Sequence, residues 1–193
     1  MMIRVHRIIE NTGVAGPGQR YCLWAQGCKR QCEGCFAVDT WNADGGYLIS
    51  IDEVIRSIHS TGGIEGITFL GGEPFEQAKK LAIIGKEAKL CGLSVVVFTG
   101  YTLKELLKSK NEGFSELLNV TDLLIDGAFQ INKKSFDHPW VGSSNQQYIF
   151  LTNRYSADDI ILADNKIEVR IYPNGKTITN GMGDFSKIQK YLE

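Results

Sequence analysis

No charge of either sign dominates this sequence: Lys and Arg number 21 against 22 Asp and Glu, a formal net charge of −1. Chains that work on nucleic acid or on anionic membranes usually carry a basic footprint, and none is present here. No apolar run approaches the ~18 residues of a spanning helix. The longest candidates, Leu93–Phe98 and Ile160–Ala163, are strand-sized. The opening stretch Met1–Arg7 is too poor in apolar residues for a signal peptide. Low-complexity linkers and internal repeats are missing too. The expectation is a protein with no nucleic-acid and no membrane partner, located in the cytoplasm, where thiols stay reduced.

What is present fits a globule of one domain, with 43% hydrophobic and 22% charged residues. Two counts depart from the ordinary. Glycine is 21 of 193 residues, and cysteine is 5, an odd number. Three of the cysteines, Cys28, Cys32 and Cys35, lie within eight residues. Odd, clustered cysteines make a poor disulfide framework and a better metal site.

Strands are expected at Met2–Ile9, Arg20–Gln26, Gly66–Leu70, Leu93–Phe98 and Val120–Ile125, where β-branched and aromatic runs are bounded by turn residues. Ser50 and Glu53 have capping-box spacing ahead of the apolar face Ile51, Val54, Ile55 and Ile58, which predicts a helix closed by Gly62-Gly63. A second helix spans roughly Phe75 to Leu90, with Gly92 at its C-cap. Thr102 and Glu105 open a third, running through Lys108. Strand and helix alternate, which implies a parallel sheet with right-handed crossovers. Gly71-Gly72-Glu73, Thr99-Gly100 and Asp126-Gly127 follow strands, so they should gather at the carboxyl edge where α/β folds bind ligands. Beyond Phe129 come a polar loop, His138–Gln146, a strand, Gln147–Leu151, and a hairpin of Ile167–Ile171 and Thr177–Thr179 about Asn174-Gly175. A short terminal helix is expected over Phe185–Leu192.

The spacing Cys28-x3-Cys32-x2-Cys35 puts three thiolates on one short loop. Three thiolates can hold three corners of a cubane iron–sulfur cluster and leave the fourth iron open for chemistry. The competing reading is a structural zinc site or unrelated thiols. Zinc needs a fourth ligand, and Cys22, Cys91, His6 and His59 offer no matching spacing. Gly27 and Gly34 flank the loop and allow close approach of the backbone.

These cysteines, followed by Gly71-Gly72-Glu73-Pro74 after a strand, resemble the two signature motifs of the radical S-adenosylmethionine (SAM) superfamily. Gly16-Pro17-Gly18 with Arg20, Thr40-Trp41, Phe98-Thr99-Gly100-Tyr101, Asp126-Gly127-x-Phe129 and Trp140-x-Gly142-Ser143-Ser144-Asn145-Gln146 follow the same order as in the glycyl-radical-enzyme activases, in particular those of anaerobic (class III) ribonucleotide reductase. The resemblance covers roughly Val5 to Gln146. It implies a partial, open radical SAM (β/α) barrel over residues 1–150, with residues 151–193 as a C-terminal β-hairpin extension packed on the same domain. Activators of this kind usually end soon after the Ser-Ser-Asn-Gln motif, whereas this chain runs on to residue 193.

The resemblance implies a [4Fe-4S] cluster on Cys28, Cys32 and Cys35, and SAM bound at the open iron. SAM would be cleaved reductively to a 5′-deoxyadenosyl radical, which removes hydrogen from a backbone glycine of a partner enzyme. An electron donor such as flavodoxin or ferredoxin is then required. Glu73 is the expected acceptor for the SAM ammonium, with Gly71 and Gly72 bringing backbone near it. Gly34 and Phe36 should lie against SAM, although Phe36 also reads as core cover. Thr99 and Asp126 should reach the ribose or sulfonium, with a plain turn role as the alternative for Asp126. No side chain is assigned as a catalytic acid, base or nucleophile. Cys22 and Cys91 read as core thiols. Trp140 reads either as partner-facing or as packed on the sheet edge. His6, His59 and His138 are isolated and receive no chemistry. The alternative functions are a radical SAM enzyme for a small molecule or peptide, with the extension holding the substrate, and a non-catalytic iron–sulfur subunit.

Overall fold

A computed structural model describes residues 1–183. The helix expected over Phe185–Leu192 lies outside the described residues. Nine strands run β1 (Met2–Thr12), β2 (Arg20–Ala25), β3 (Tyr47–Ser50), β4 (Gly66–Gly71), β5 (Ser94–Phe98), β6 (Leu123–Asp126), β7 (Gln147–Phe150), β8 (Ile167–Ile171) and β9 (Thr177–Gly181). Five α-helices are α1 (Ile51–Ser60), α2 (Ala78–Leu90), α3 (Leu103–Lys108), α4 (Glu112–Val120) and α5 (Ala157–Ile161).

The helices start where their caps dictate. Ser50 accepts from the Glu53 amide, and Thr102 and Glu105 form a reciprocal capping box. Helix α2 stops at Gly92, whose φ of +76° suits glycine, and the Leu93 amide reaches back to the Ala88 carbonyl.

Seven strands form one sheet in the order β3-β1-β2-β4-β5-β6-β7. The inner four, β2, β4, β5 and β6, are parallel, as the strand–helix alternation implies. The flanking strands are antiparallel: β1 to β2, β3 to β1, and β7 to β6. The sheet does not close, because β3 and β7 are separate edges. The architecture is therefore a mixed α/β half-barrel with a mostly parallel centre. Four elements depart from the expected set. Strand β3 lies just after Gly45-Gly46, where no element is expected, helix α4 is a second helix in the β5–β6 crossover, α5 sits in the extension, and β7 turns antiparallel.

Parallel register sets the carboxyl ends of β2, β4, β5 and β6 on one rim. The sheet also divides the core. Its helix side buries Val5, Leu23, Phe69, Val97 and Leu124 against α1, α2 and α4. Its inner side carries Cys22 and Trp24 near one edge and Val96, Leu123 and Ile125 near the other.

The extension crosses this inner side. Tyr155 reaches Arg20 and Ser94, Ile160 packs with Val96 and Ile125, and Ile178 of the hairpin packs with Ile9, Ala15 and Trp24. The Thr12 hydroxyl donates to Glu168 at 2.7 Å and accepts from Asn180 at 3.3 Å, which anchors the β8–β9 hairpin to β1. No helix among the described residues is long and apolar enough to cross a membrane.

Candidate active site

The cysteine loop leaves β2 at Gly27 and is tied down on three sides. The Gly27 amide donates to the Thr40 carbonyl at 2.8 Å, the Cys28 amide to the Trp41 carbonyl at 3.1 Å, and the Lys29 amide to the Glu76 carboxylate at 2.7 Å. The guanidinium of Arg30 lies over the Tyr101 ring at 4.6 Å. Gln31 and Gly34 take φ values of +44° and +73°, which curl the loop around its three sulfurs.

Cys28, Cys32 and Cys35 are free and partly exposed at the end of the sheet. Among the described residues, no three His, Cys, Asp or Glu side chains converge on a single ion. Three thiolates on one short loop are the ligand type that binds iron–sulfur clusters. The sulfurs also receive backbone donors: Ala37 N–H to Cys35 Sγ at 3.4 Å, and Arg30 and Gln31 N–H to Cys28. Such donors stabilise thiolates. Burial nonetheless pushes the Cys28 thiol up, so metal binding must displace its proton. Three thiols on one loop and N–H donors aimed at two of them fit a [4Fe-4S] group held at three corners.

The turn after β4 packs against the start of this loop. The Gly72 amide donates to the Ala25 carbonyl at 2.9 Å, and the Glu73 amide to the Gly27 carbonyl at 2.8 Å. A β-carbon on Gly72 would stand 2.3 Å from the Gly27 oxygen, and one on Gly71 (φ +103°) would stand 2.8 Å from the Trp24 Cα. The chain's own backbone therefore demands both glycines, before any cofactor is considered.

Glu73 is 1% exposed. Its Oε1 accepts from the Phe75 amide at 3.0 Å and from the Thr99 hydroxyl at 2.8 Å, and its Oε2 accepts from the Gly100 amide at 2.9 Å. Burial pushes this carboxyl up to about 7, against those three donors and the Arg30 charge. Glu73 and Thr99 thus bind each other and lock the end of β4 to the end of β5.

Asp126 is placed apart from this group. Strand alternation turns it to the helix side, and its Oδ2 accepts from the Leu103 amide at the start of α3 at 2.6 Å. Of the two readings for Asp126, the geometry matches the turn-supporting one.

A cavity of about 520 Å³ opens beside the cysteines, within the size range of small-molecule sites. Cys35, Phe36, Gly71 and Phe98 form one part of its lining, and Thr179, Asn180 and Met182 of the hairpin another. Phe36 is 50% exposed, not core cover, with its ring 5.1 Å from Phe129 and 6.1 Å from Phe136. Trp140 is 5% exposed and packs with Val96, Leu123 and Ile125, which rules out the partner-facing reading. Its φ is +62°, and its amide donates to Asn165 of the extension at 3.0 Å.

Cys22 is fully buried, as expected, but Cys91 is exposed, with its sulfur 3.3 Å from His59 Nε2. The core reading of Cys91 fails because the residue caps α2 at the surface, where no second layer covers it. Two cavity residues carried no strong sequence signal. They are Arg7, and His6, whose Nε2 lies 3.1 Å from Asp39.

Residues 14–149 match the family described as 4Fe-4S single cluster domain. The chain is 32% identical over 152 residues to the anaerobic ribonucleoside-triphosphate reductase-activating protein of Salmonella typhi, covering 75% of this chain and 96% of that one. The protein of the same name from Enterobacteria phage T4 is 31% identical, over 73% of this chain and 90% of its own length. The pyruvate formate-lyase-activating enzyme of Staphylococcus epidermidis is 33% identical over 61% of this chain and 49% of its own length. Among solved structures, QueE from Escherichia coli superposes with a TM-score of 0.44 at 18% identity, over 53% of this chain and 54% of that one. The family match and the likeness to the two activating proteins lead to one assignment: the chain belongs to the 4Fe-4S single cluster domain family and to the family of the anaerobic ribonucleoside-triphosphate reductase-activating proteins.

Proposed function

We propose that this chain is a radical SAM activase that generates a glycyl radical on a partner enzyme, and that this partner is an anaerobic ribonucleotide reductase. One observation carries the reading: the three-thiol loop and the Gly71-Gly72 turn are joined backbone to backbone beside one cavity. When bound, the cluster and SAM supply one-electron cleavage of a carbon–sulfur bond followed by hydrogen-atom abstraction.

The protein's own contribution is placement. Cys28, Cys32 and Cys35 hold the cluster. Phe36 lines the cavity next to Cys35, Gly34 turns the loop beside Ile131 toward the same cofactor, and the Gly71-Gly72 turn presents main-chain groups to the SAM ammonium. Glu73 and Thr99 keep that turn at a fixed height, and the Glu73 carboxylate adds negative potential next to the ammonium while it is ionised. Asp126 holds α3 in place behind the rim. Phe36, Phe129 and Trp140 exclude water from a site where a radical must not be quenched. Residues 1–150 form the radical SAM core and residues 151–193 the extension, whose hairpin lines the cavity. The one-electron donor is a flavodoxin or ferredoxin, and the compartment is the reducing cytoplasm.

The test is anaerobic reconstitution with iron, sulfide, SAM and a reductant, followed by mixing with a class III reductase. A glycyl radical signal in electron paramagnetic resonance is the expected outcome. Formation of 5′-deoxyadenosine without that signal would favour the small-molecule or peptide alternative, for which the hairpin lining offers a substrate wall.

A further inference from the structure

Strand β1 carries an irregularity at its centre. Val5 pairs with Ala25 and Arg7 with Trp24, so His6 is one residue more than β2 can match. An unbroken strand sends neighbouring side chains to opposite faces. Here Val5 and Ile8 face the helix-side core while His6 and Arg7, consecutive in sequence, both line the cavity. Re-aiming a side chain is a characteristic use of a β-bulge beside a site.

The bulge delivers a cation with little to bind. The Arg7 guanidinium lies over the Trp24 ring, 4.3 Å from its centre. Its Nε is buried and has no hydrogen-bond partner among the described residues. Asp39, the acid that acts on it, is engaged by His6 at 3.1 Å. A guanidinium has five N–H donors and no acceptor, so a ligand must bring oxygen.

We propose that Arg7 holds the main chain of the glycine-bearing segment of the partner enzyme, a role that rests on the activase reading above. A glycine has no side chain to recognise. A site selective for it can use only main-chain carbonyls and limited room. Arg7 supplies donors for carbonyl oxygens, and its stacking on Trp24 fixes the direction of the fork. The hairpin residues Thr179, Asn180 and Met182 supply the limit on room from within the same cavity, while Cys35 and Gly71 mark its cofactor side. A segment seated on Arg7 therefore lies between the hairpin and the position of SAM. The competing oxygen ligand is the SAM carboxylate.

The experiment compares reconstituted wild-type protein with Arg7→Gln and Arg7→Lys. Cluster absorbance verifies that each variant is folded and loaded. SAM affinity is measured by calorimetry, and the affinity of a synthetic peptide carrying the partner's glycine segment by fluorescence anisotropy without turnover. Radical yield is then measured against partner concentration. The expected result for Arg7→Gln is a loss of peptide affinity, and a rise in the partner concentration for half-maximal activation, of about tenfold each, with SAM affinity within about twofold. Arg7→Lys should recover part of the loss. Unchanged peptide affinity overturns the proposal, and so does a tenfold loss of SAM affinity, which would assign Arg7 to the SAM carboxylate. If wild-type protein cleaves SAM but yields no glycyl radical on any such partner, the activase reading falls and the proposal with it. That outcome is distinct, because it appears before any variant is made.

Discussion

The Glu73 amide donates to the Gly27 carbonyl at 2.8 Å, one residue before the first cluster cysteine. The turn proposed to meet SAM and the loop proposed to hold iron therefore share a backbone hydrogen bond and cannot move independently. Gly72 sits inside this junction. A methyl group there would meet the Gly27 oxygen at 2.3 Å, a contact with rigid backbone and not with a flexible side chain. Gly72→Ala should part the two segments. Iron content after reconstitution should fall several-fold, and stability by roughly 1–3 kcal/mol, as in overpacked sites. Iron assay and denaturant unfolding measure the two effects.

Glu73 makes stability depend on pH in an unusual direction. Burial lifts its folded-state value to about 7, while the unfolded chain releases the proton in the ordinary carboxylate range. The folded protein binds the proton more tightly, so this contribution is complete below the unfolded value and is lost as pH rises through about 7. Apo protein should gain up to roughly 3 kcal/mol from this group between pH 8 and pH 5. Glu73→Gln cannot titrate and should flatten that slope. Urea titrations of both proteins across the range give the comparison.

The five thiols should separate by reactivity. Cys22 is fully buried and its thiol is pushed up to about 12 by burial, so it should resist alkylation in the folded chain. Cys91 is exposed, and Cys28, Cys32 and Cys35 are partly so. Iodoacetamide followed by mass spectrometry should find Cys91 alone modified in the loaded protein. Removal of iron should add Cys28, Cys32 and Cys35, and only denaturation should add Cys22.

Arg20 is fully buried, with no carboxylate in hydrogen-bonding contact among the described residues. Its fork donates to Thr68 at 3.1 Å, to Ser94 at 2.6 Å, to Tyr155 at 2.9 Å and to the Ile67 carbonyl. Lysine cannot reproduce this planar array. Arg20→Lys should cost about 3 kcal/mol or more, read as a lowered denaturation midpoint. Tyr155→Phe removes a hydroxyl bonded to both Arg20 and Ser94, while the guanidinium keeps its other acceptors, and should cost about 1–3 kcal/mol.

The site was more legible in the sequence than its frame. Cys28, Cys32 and Cys35 declare themselves by spacing alone, and the capping residues Ser50 and Thr102 mark helix starts at the observed positions. Strand β3 hides because Tyr47 and Leu48 are exposed and no alternation separates an inner from an outer face. Helix α4 hides because its cap, Asn111, follows closely on the end of α3, and its last residue, Val120, reads as the start of the next strand. The cavity position of Arg7 could not be read from the pattern of β1, because the bulge inverts the phase of alternation midway, and only pairing with β2 reveals it. Asp126 shares its rim with the cofactor residues but faces away from them, a distinction that depends on strand parity and not on proximity to a glycine.

The hairpin anchors have a consequence for how the protein is made. Thr12 bonds to Glu168 and Asn180 across 156 and 168 residues of chain. Contacts of such separation form late, after local helices and neighbouring strands have paired. During synthesis the cysteine loop and the glycine turn leave the ribosome well before Ile167, so the cavity exists first as an open trough. Iron delivery would have open access in that interval, and docking of the β8–β9 hairpin is the event that walls it in.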